Sequence, residues 1–426
     1  MKIVFKNFTT SGQNIRKAIT IDAGWVKILK ENVPRAFSQK CPFDPNVMFI
    51  DGQIKLMKAE SINTWSCFIR QQFIRCLDRA FEQGIPVVVL GFDNYVHVPT
   101  AKNMTQRKRM RDVEAIEFQK GQELPTLIPD NWSAAIKNRA FKTKVISFII
   151  TNLRSHYENT TSTLIIDYMG VPEVIGTPIQ LPNELQNADL KRGECDIKAF
   201  MWTKLGPLLI DSTDGDFIPI ALLQYDECTS PIVLHRFNTR VRDSKPSDPR
   251  YEYVDIQKLH EYVVNEMRRS SEPCRDFASL VGMVGCDFTM SLPQIGPKTL
   301  WSIRTHIKKH MLETPAGMLL LIVRTMLKTY QSHLSTVIKR INGMLLDAPT
   351  PELAETAYTL IYTTLQIKPN LSERIRSKLW TPTRMSAHVK NVAWTLQYWK
   401  YLHHFEDPLQ SDFGYKKLKN VITYDG

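Results

Sequence analysis

Between Glu60 and Gln83 the apolar residues Trp65, Phe68, Ile69, Phe73, Cys76, Leu77, Ala80 and Phe81 recur mostly at three- and four-residue steps. That period predicts an amphipathic helix. Gly84 stops it and Pro86 follows. Val87–Phe92 is then a continuous, valine-rich run, the pattern of a strand buried on both faces. Comparable runs at Thr163–Tyr168, Pro207–Ser212 and Pro231–Arg236 predict further strands, and Ala18–Asp22 a short one. Asp196–Lys204 reads as a helix leading into the Pro207 strand. Helix and strand in alternation predict an α/β fold, with a mostly parallel sheet and helices on both faces. Beyond about Pro315 the pattern is helical, at Met318–Tyr330, Leu353–Leu365 and Asn391–Phe405.

Pro99–Val145 interrupts this alternation. It opens on Lys102, Arg107, Lys108, Arg109 and Arg111 and closes on Lys137, Arg139, Lys142 and Lys144. Gly121–Pro129 punctuates the middle, so the segment reads as an insertion projecting over the sheet edge. Asn238–Pro249 is a second polar, basic loop.

The chain has 426 residues, 43% of them hydrophobic, enough for a large core. Its formal net charge of +12 favours an acidic partner, nucleic acid before anionic membrane. No apolar run reaches the ~18 residues of a membrane span. The seven cysteines are scattered without a C-x-x-C pair, which argues against a disulfide framework and a zinc ribbon. MKIVFKNF lacks a long apolar stretch of the signal-peptide kind. The expected compartment is intracellular and reducing, cytoplasmic or nuclear.

Against this basic background, acids stand mostly at the ends of apolar runs: Asp22 in ITIDAG, Asp93 in VVVLGFDN, Asp214 and Asp216 in STDGDF, and Asp287 in VGCDF. Glu194 and Asp196, in GECD, precede or open a helix, where the helix dipole favours negative charge. In parallel sheets ligands sit beyond the carboxyl ends of the strands. Gathered carboxylates repel and resist desolvation, so a pair of divalent cations is the simplest offset. Mg²⁺ prefers carboxylate and water oxygens, and Mn²⁺ can substitute. Taken singly, each acid is an ordinary surface or turn residue. The spacing Glu194-x-Asp196 followed by Asp214-x-Asp216 is what points to a two-metal phosphodiester site. A calcium loop at Asp211–Asp216 is excluded by Leu222, which stands where that loop carries glutamate.

In order and spacing these acids resemble the structure-specific 5′-nuclease superfamily, the flap endonuclease/xeroderma G-type group. The resemblance covers roughly residues 18–310. GCDFTMSLPQIGPK, Gly285–Lys298, is its most specific part. It is similar to the start of the family's helix–two-turn–helix element, in which the turn meets a duplex phosphate and binds a monovalent ion. The resemblance implies a PIN-like sheet and Mg²⁺ held by Asp22, Asp93, Glu194, Asp196, Asp214, Asp216 and Asp287. It implies phosphate contact from Gly296 and Lys298, with K⁺ at that turn. It also implies a helical arch whose Lys102 and Arg107 grip the scissile phosphate, flanked by Lys108, Arg109 and Arg111. The implied organisation is a nuclease core in two parts, 1–98 and 151–315, with the arch at 99–150 and a helical region at 316–426.

There are departures. The family's Met-Gly-Ile start is absent, and Gln410-Ser-Asp-Phe-Gly-Tyr does not form a sliding-clamp box. WTLQYW, Trp394–Trp399, is weakly similar to flap-nuclease-like proteins of large DNA viruses. Gly193-Glu-Cys-Asp-Ile-Lys198 is similar to the G-E-x-E-x-K of 5′→3′ exoribonucleases, and host-shutoff endoribonucleases share the superfamily. The element that grips a duplex favours DNA over RNA. A scaffold with a decayed site would have lost acids, and every matched position keeps its acid.

Overall fold

The computed structural model describes residues 22–57, 62–93, 118–186, 193–237, 251–344 apart from 287, 288, 290, 291, 293 and 294, then 350–400 and the strands 415–418 and 421–424. Eight strands form one sheet: β1 (Phe37–Ser38), β2 (Val47–Asp51), β3 (Val87–Gly91), β4 (Thr163–Asp167), β5 (Glu173–Gly176), β6 (Leu208–Asp211), β7 (Ile232–Phe237) and β8 (Tyr251–Asp255). Their order is β1-β8-β7-β6-β2-β3-β4-β5. β7, β6, β2, β3 and β4 run parallel. β5, β8 and β1 are antiparallel at the two edges. This is the α/β class expected from the sequence, a mostly parallel sheet flanked by helices.

Alternation along the central strands sends side chains to two cores. Val47 and Phe49 of β2 join one, with the helices Phe217–Gln224, Ile256–Glu266, Pro273–Val284 and Pro315–Thr329. Met48 and Ile50 join the other, against the helical stretch from Trp65 to Glu82 and the helix Arg139–Tyr157. The C-terminal helices Pro351–Ile367 and Pro382–Lys400 extend the first core. Among the described residues no helix is long and apolar enough to cross a membrane.

One expectation changes, and another lies almost wholly outside the described residues. Of the strand expected at Ala18–Asp22 only Asp22 is described, and it opens a π-helical turn, Asp22–Val26. Trp25 of that turn packs edge-on against Phe277 and Trp301, with ring centres 5.5 and 6.3 Å away. The strand that sits at the heart of the sheet is Val47–Asp51. The helix expected at Asp196–Lys204 divides into an α turn at Cys195–Lys198 and a 3₁₀ stretch at Ala199–Leu205. Ala199 and Trp202, and Phe200 and Thr203, are buried in pairs three residues apart, the period of the tighter helix.

The bases at the close of the predicted insertion are tied to the core. Helix Arg139–Tyr157 buries Phe141, Val145, Ile149 and Leu153 and leaves Arg139 exposed. Residues 94–117 and 238–250 lie outside the described residues.

Candidate active site

The strand order sets the site. The chain runs from β2 outward to β3 and β4 on one side, and from β6 to β7 on the other. The reversal falls between β2 and β6, the place where open parallel sheets leave a crevice at their carboxyl edge. Registers align that edge: Asp51 pairs with Gly91, Gly91 with Asp167, and Ile50 with Asp211.

Asp51, which is not among the residues expected from the sequence, ends β2 at this reversal. Its Oδ1 accepts N–H bonds from Gln53 (2.9 Å) and Ile54 (3.4 Å), capping the short helix Gly52–Leu56. Its Oδ2 accepts the Ser212 hydroxyl at 3.2 Å, a bond that straddles the crevice from β2 to the end of β6. Burial pushes the Asp51 carboxyl up to about 7, helped by the charges of Asp93 and Asp214 and opposed by the bonds from Gln53 and Ser212. Among the described residues, the influences on Asp51 are burial, two acids and these hydrogen bonds. Lys55, one helical turn on, is committed to Asp211 at 2.8 Å.

Three strand ends therefore carry carboxylates that act on one another electrostatically, Asp51, Asp93 and Asp214. Asp93, past β3, accepts the Cys195 N–H at 3.0 Å on Oδ1, which ties it to the turn bearing Glu194 and Asp196. Both of those acids are buried. Asp214 donates its N–H to Ser212 Oγ (3.2 Å) and accepts the N–H of Asp216 (3.0 Å) on Oδ1. Asp216 is buried at the N-terminus of helix Phe217–Gln224, where the dipole favours its charge.

Asp211 shares the DSTDGD stretch yet has other partners. Burial raises its carboxyl, but the His235 hydrogen bond (2.9 Å) and Lys55 outweigh that and hold it well below the usual range. Asp167, at the end of β4, is likewise matched, by Lys198 at 3.1 Å and the Trp202 indole N–H at 3.0 Å. The sequence cannot separate these paired acids from the clustered ones.

No protein-family model and no curated protein matches this chain. Among solved structures it is similar to the catalytic core of Rad2 in complex with DNA substrate. The identity is 12% and the TM-score 0.37, over 86% of this chain and 98% of that one.

The remaining expected residues fall in three groups. Asp22 opens the turn packed beside helix Pro297–Trp301, and the residues before it lie outside the described residues. Asp287, Lys102, Arg107, Lys108, Arg109 and Arg111 lie outside the described residues. Gly296 and Lys298 are described. Gly296 is the N-cap of helix Pro297–Trp301, with φ −103°, and an added Cβ would meet no atom of the described residues within 4 Å. Neither its conformation nor packing by the described residues calls for glycine there. Lys298 is exposed.

Hard carboxylate oxygens in a buried, anion-rich place suit Mg²⁺ or Mn²⁺. As placed, no three His, Cys, Asp or Glu side chains among the described residues converge closely enough to hold an ion. The buried Asp51 carboxyl, raised by burial and by the neighbouring acids Asp93 and Asp214, is the feature that fits such an ion.

Proposed function

We propose that this chain is a metal-dependent nuclease of the structure-specific 5′-nuclease type, which hydrolyses phosphodiester bonds in branched, flapped or nicked DNA. One observation carries the reading. At the crevice of the parallel sheet the buried Asp51 has Asp93 and Asp214 as acidic neighbours, and hydrogen bonds tie Asp51 to Ser212, Ser212 to Asp214, Asp214 to Asp216, and Asp93 to the turn bearing Glu194 and Asp196. Clustered carboxylates cost stability, and a cationic partner is what would offset that cost.

Asp51, Asp93, Glu194, Asp196, Asp214 and Asp216 would hold two Mg²⁺, with Asp287 joining them; Asp51 takes the strand-end place expected for Asp22. When bound, the ions lower the pKa of water and offset charge on the attacked phosphate and its leaving oxygen. The chain's own bases do the rest. Arg107 and Lys102 orient the scissile phosphate and steady its developing charge. Gly296 leaves its backbone open to approach from outside, and exposed Lys298 adds a phosphate contact beside it. Ser212 holds the Asp51 carboxylate across the crevice, so its direction is set before substrate arrives.

The test uses the purified full chain with Mg²⁺ or Mn²⁺ on labelled 5′-flap DNA, nicked duplex and single-stranded RNA. The expected result is cation-dependent cutting of the flap, abolished by Asp51→Asn and by Asp216→Asn. A far higher kcat/KM on RNA would transfer the reading to a ribonuclease. Tight binding without turnover under either cation would leave a nucleic-acid-binding scaffold.

A further inference from the structure

Lys198 is fully buried, and so is its partner Asp167. Its Nζ donates to the Phe92 carbonyl at 2.8 Å, the Asp167 carbonyl at 3.0 Å and Asp167 Oδ1 at 3.1 Å. An ammonium has three protons, so its donor capacity is fully used. The Phe92 N–H also donates to the Asp167 carbonyl at 2.9 Å, and Trp202 occupies Asp167 Oδ2. One buried cation thus joins the ends of β3 and β4 to the turn Cys195–Lys198.

The sequence positions of these groups matter. Phe92 immediately precedes Asp93. Lys198 follows Glu194 by four residues and Asp196 by two. A single four-residue turn cannot hold itself in place, because so short a helix is unstable alone. Its station must come from tertiary ties, and two run to the same strand end: Lys198 to Phe92, and the Cys195 N–H to Asp93. A buried ion pair is a poor way to gain stability, since well-packed apolar groups do as well or better. Its benefit here is geometric.

We propose that Lys198 is a positioning residue whose tie to Phe92 and Asp167 fixes Asp93 relative to Glu194 and Asp196, and so sets how tightly a divalent cation is held there. The inference rests on the metal-dependent reading above. It assigns Lys198 no contact with substrate or ion.

The test is Mn²⁺ binding to the full chain without nucleic acid, followed by electron paramagnetic resonance. The double variant Lys198→Met with Asp167→Asn removes both buried charges together, which spares the fold an uncompensated ion. Its affinity for Mn²⁺ is expected to fall about tenfold or more, the usual scale for groups that orient ligands. Amide hydrogen exchange at Cys195, measured in the metal-free protein, is expected to quicken in the same variant. Trp202→Phe disturbs the same cluster but keeps the bond to Phe92, and is expected to bind Mn²⁺ within about twofold of wild type, well inside that scale. Should the double variant fail to fold, Lys198→Arg is read instead; it keeps the charge opposite Asp167 but is too long for the seat, and weaker Mn²⁺ binding is again expected. A folded Lys198 variant with unchanged affinity overturns the proposal. So does an equal loss in Trp202→Phe, because affinity would then merely follow core stability. If the wild-type chain binds no Mn²⁺, the metal-dependent reading itself falls, and this inference with it.

Discussion

Asp51 is held partly protonated near neutrality, since burial and two neighbouring carboxylates raise it from 3.8 to about 7. A carboxyl raised on folding costs nothing below its unfolded value. The cost grows as pH rises from 3.8 towards 7 and is constant above that. A shift of this size corresponds to a few kcal/mol, on the order of 1.4 per unit. Asparagine keeps the helix cap and loses the charge. Without divalent cation, Asp51→Asn is therefore expected to melt about a few degrees above wild type at pH 8 and no higher at pH 4. A melting curve at each pH checks this. The residue is hidden in the sequence for a simple reason. ITID and VMFID are both short apolar runs closed by aspartate, and periodicity cannot rank them. What distinguishes Asp51 is that its strand pairs with β3 and β6 at the centre of the sheet, which only long-range pairing decides. Asp93, Glu194, Asp196, Asp214 and Asp216 are legible because each closes or opens an element whose type is also legible.

At the scale of elements, several strands are legible as continuous apolar runs, Val87–Gly91, Thr163–Asp167 and Leu208–Asp211, although the equally apolar Val47–Asp51 is not among those expected. Edge strands are not. β5 and β8 carry mixed residues, because a strand at or near an edge need not be apolar on both faces. The helix Arg139–Tyr157 is masked by its own bases: it reads as charged insertion although every third or fourth residue is buried. The arch residues proposed to grip phosphate lie before it. Arg107→Lys removes a bidentate fork while keeping the charge, so a drop in kcat with little change in binding is expected in single-turnover assays. Neutralising Arg107 and Lys108 together is expected to weaken DNA binding. It should also lower the slope of log K against log salt by roughly two, about 0.9 for each phosphate left without its cation. An unchanged slope would place these bases away from the nucleic acid.

At the scale of the whole molecule, a basic chain of net charge +12 encloses an acidic crevice. On the proposed reading the two signs would have separate tasks: the surface would draw a polyanion in, and the crevice would need its own repulsion offset before an anion came close. Two cores, one on each face of the sheet, hold the crevice rigid from both sides. The turn Asp22–Val26 belongs to this larger architecture. A Cβ placed on Gly24 would lie 2.4 Å from Cγ of Pro297, the first residue of the helix that Gly296 caps. One methyl group there must push against a rigid ring, with no flexible side-chain tip to yield. The turn Asp22–Val26 and the outward-facing Gly296–Lys298 corner are thus machined to a common clearance. Gly24→Ala should shift that corner while every crevice carboxylate keeps its strand. The variant is expected to retain Mn²⁺ affinity yet bind duplex DNA several-fold more weakly, seen by titration, so that a residue remote in sequence tunes the grip on the substrate and leaves the cutting chemistry alone.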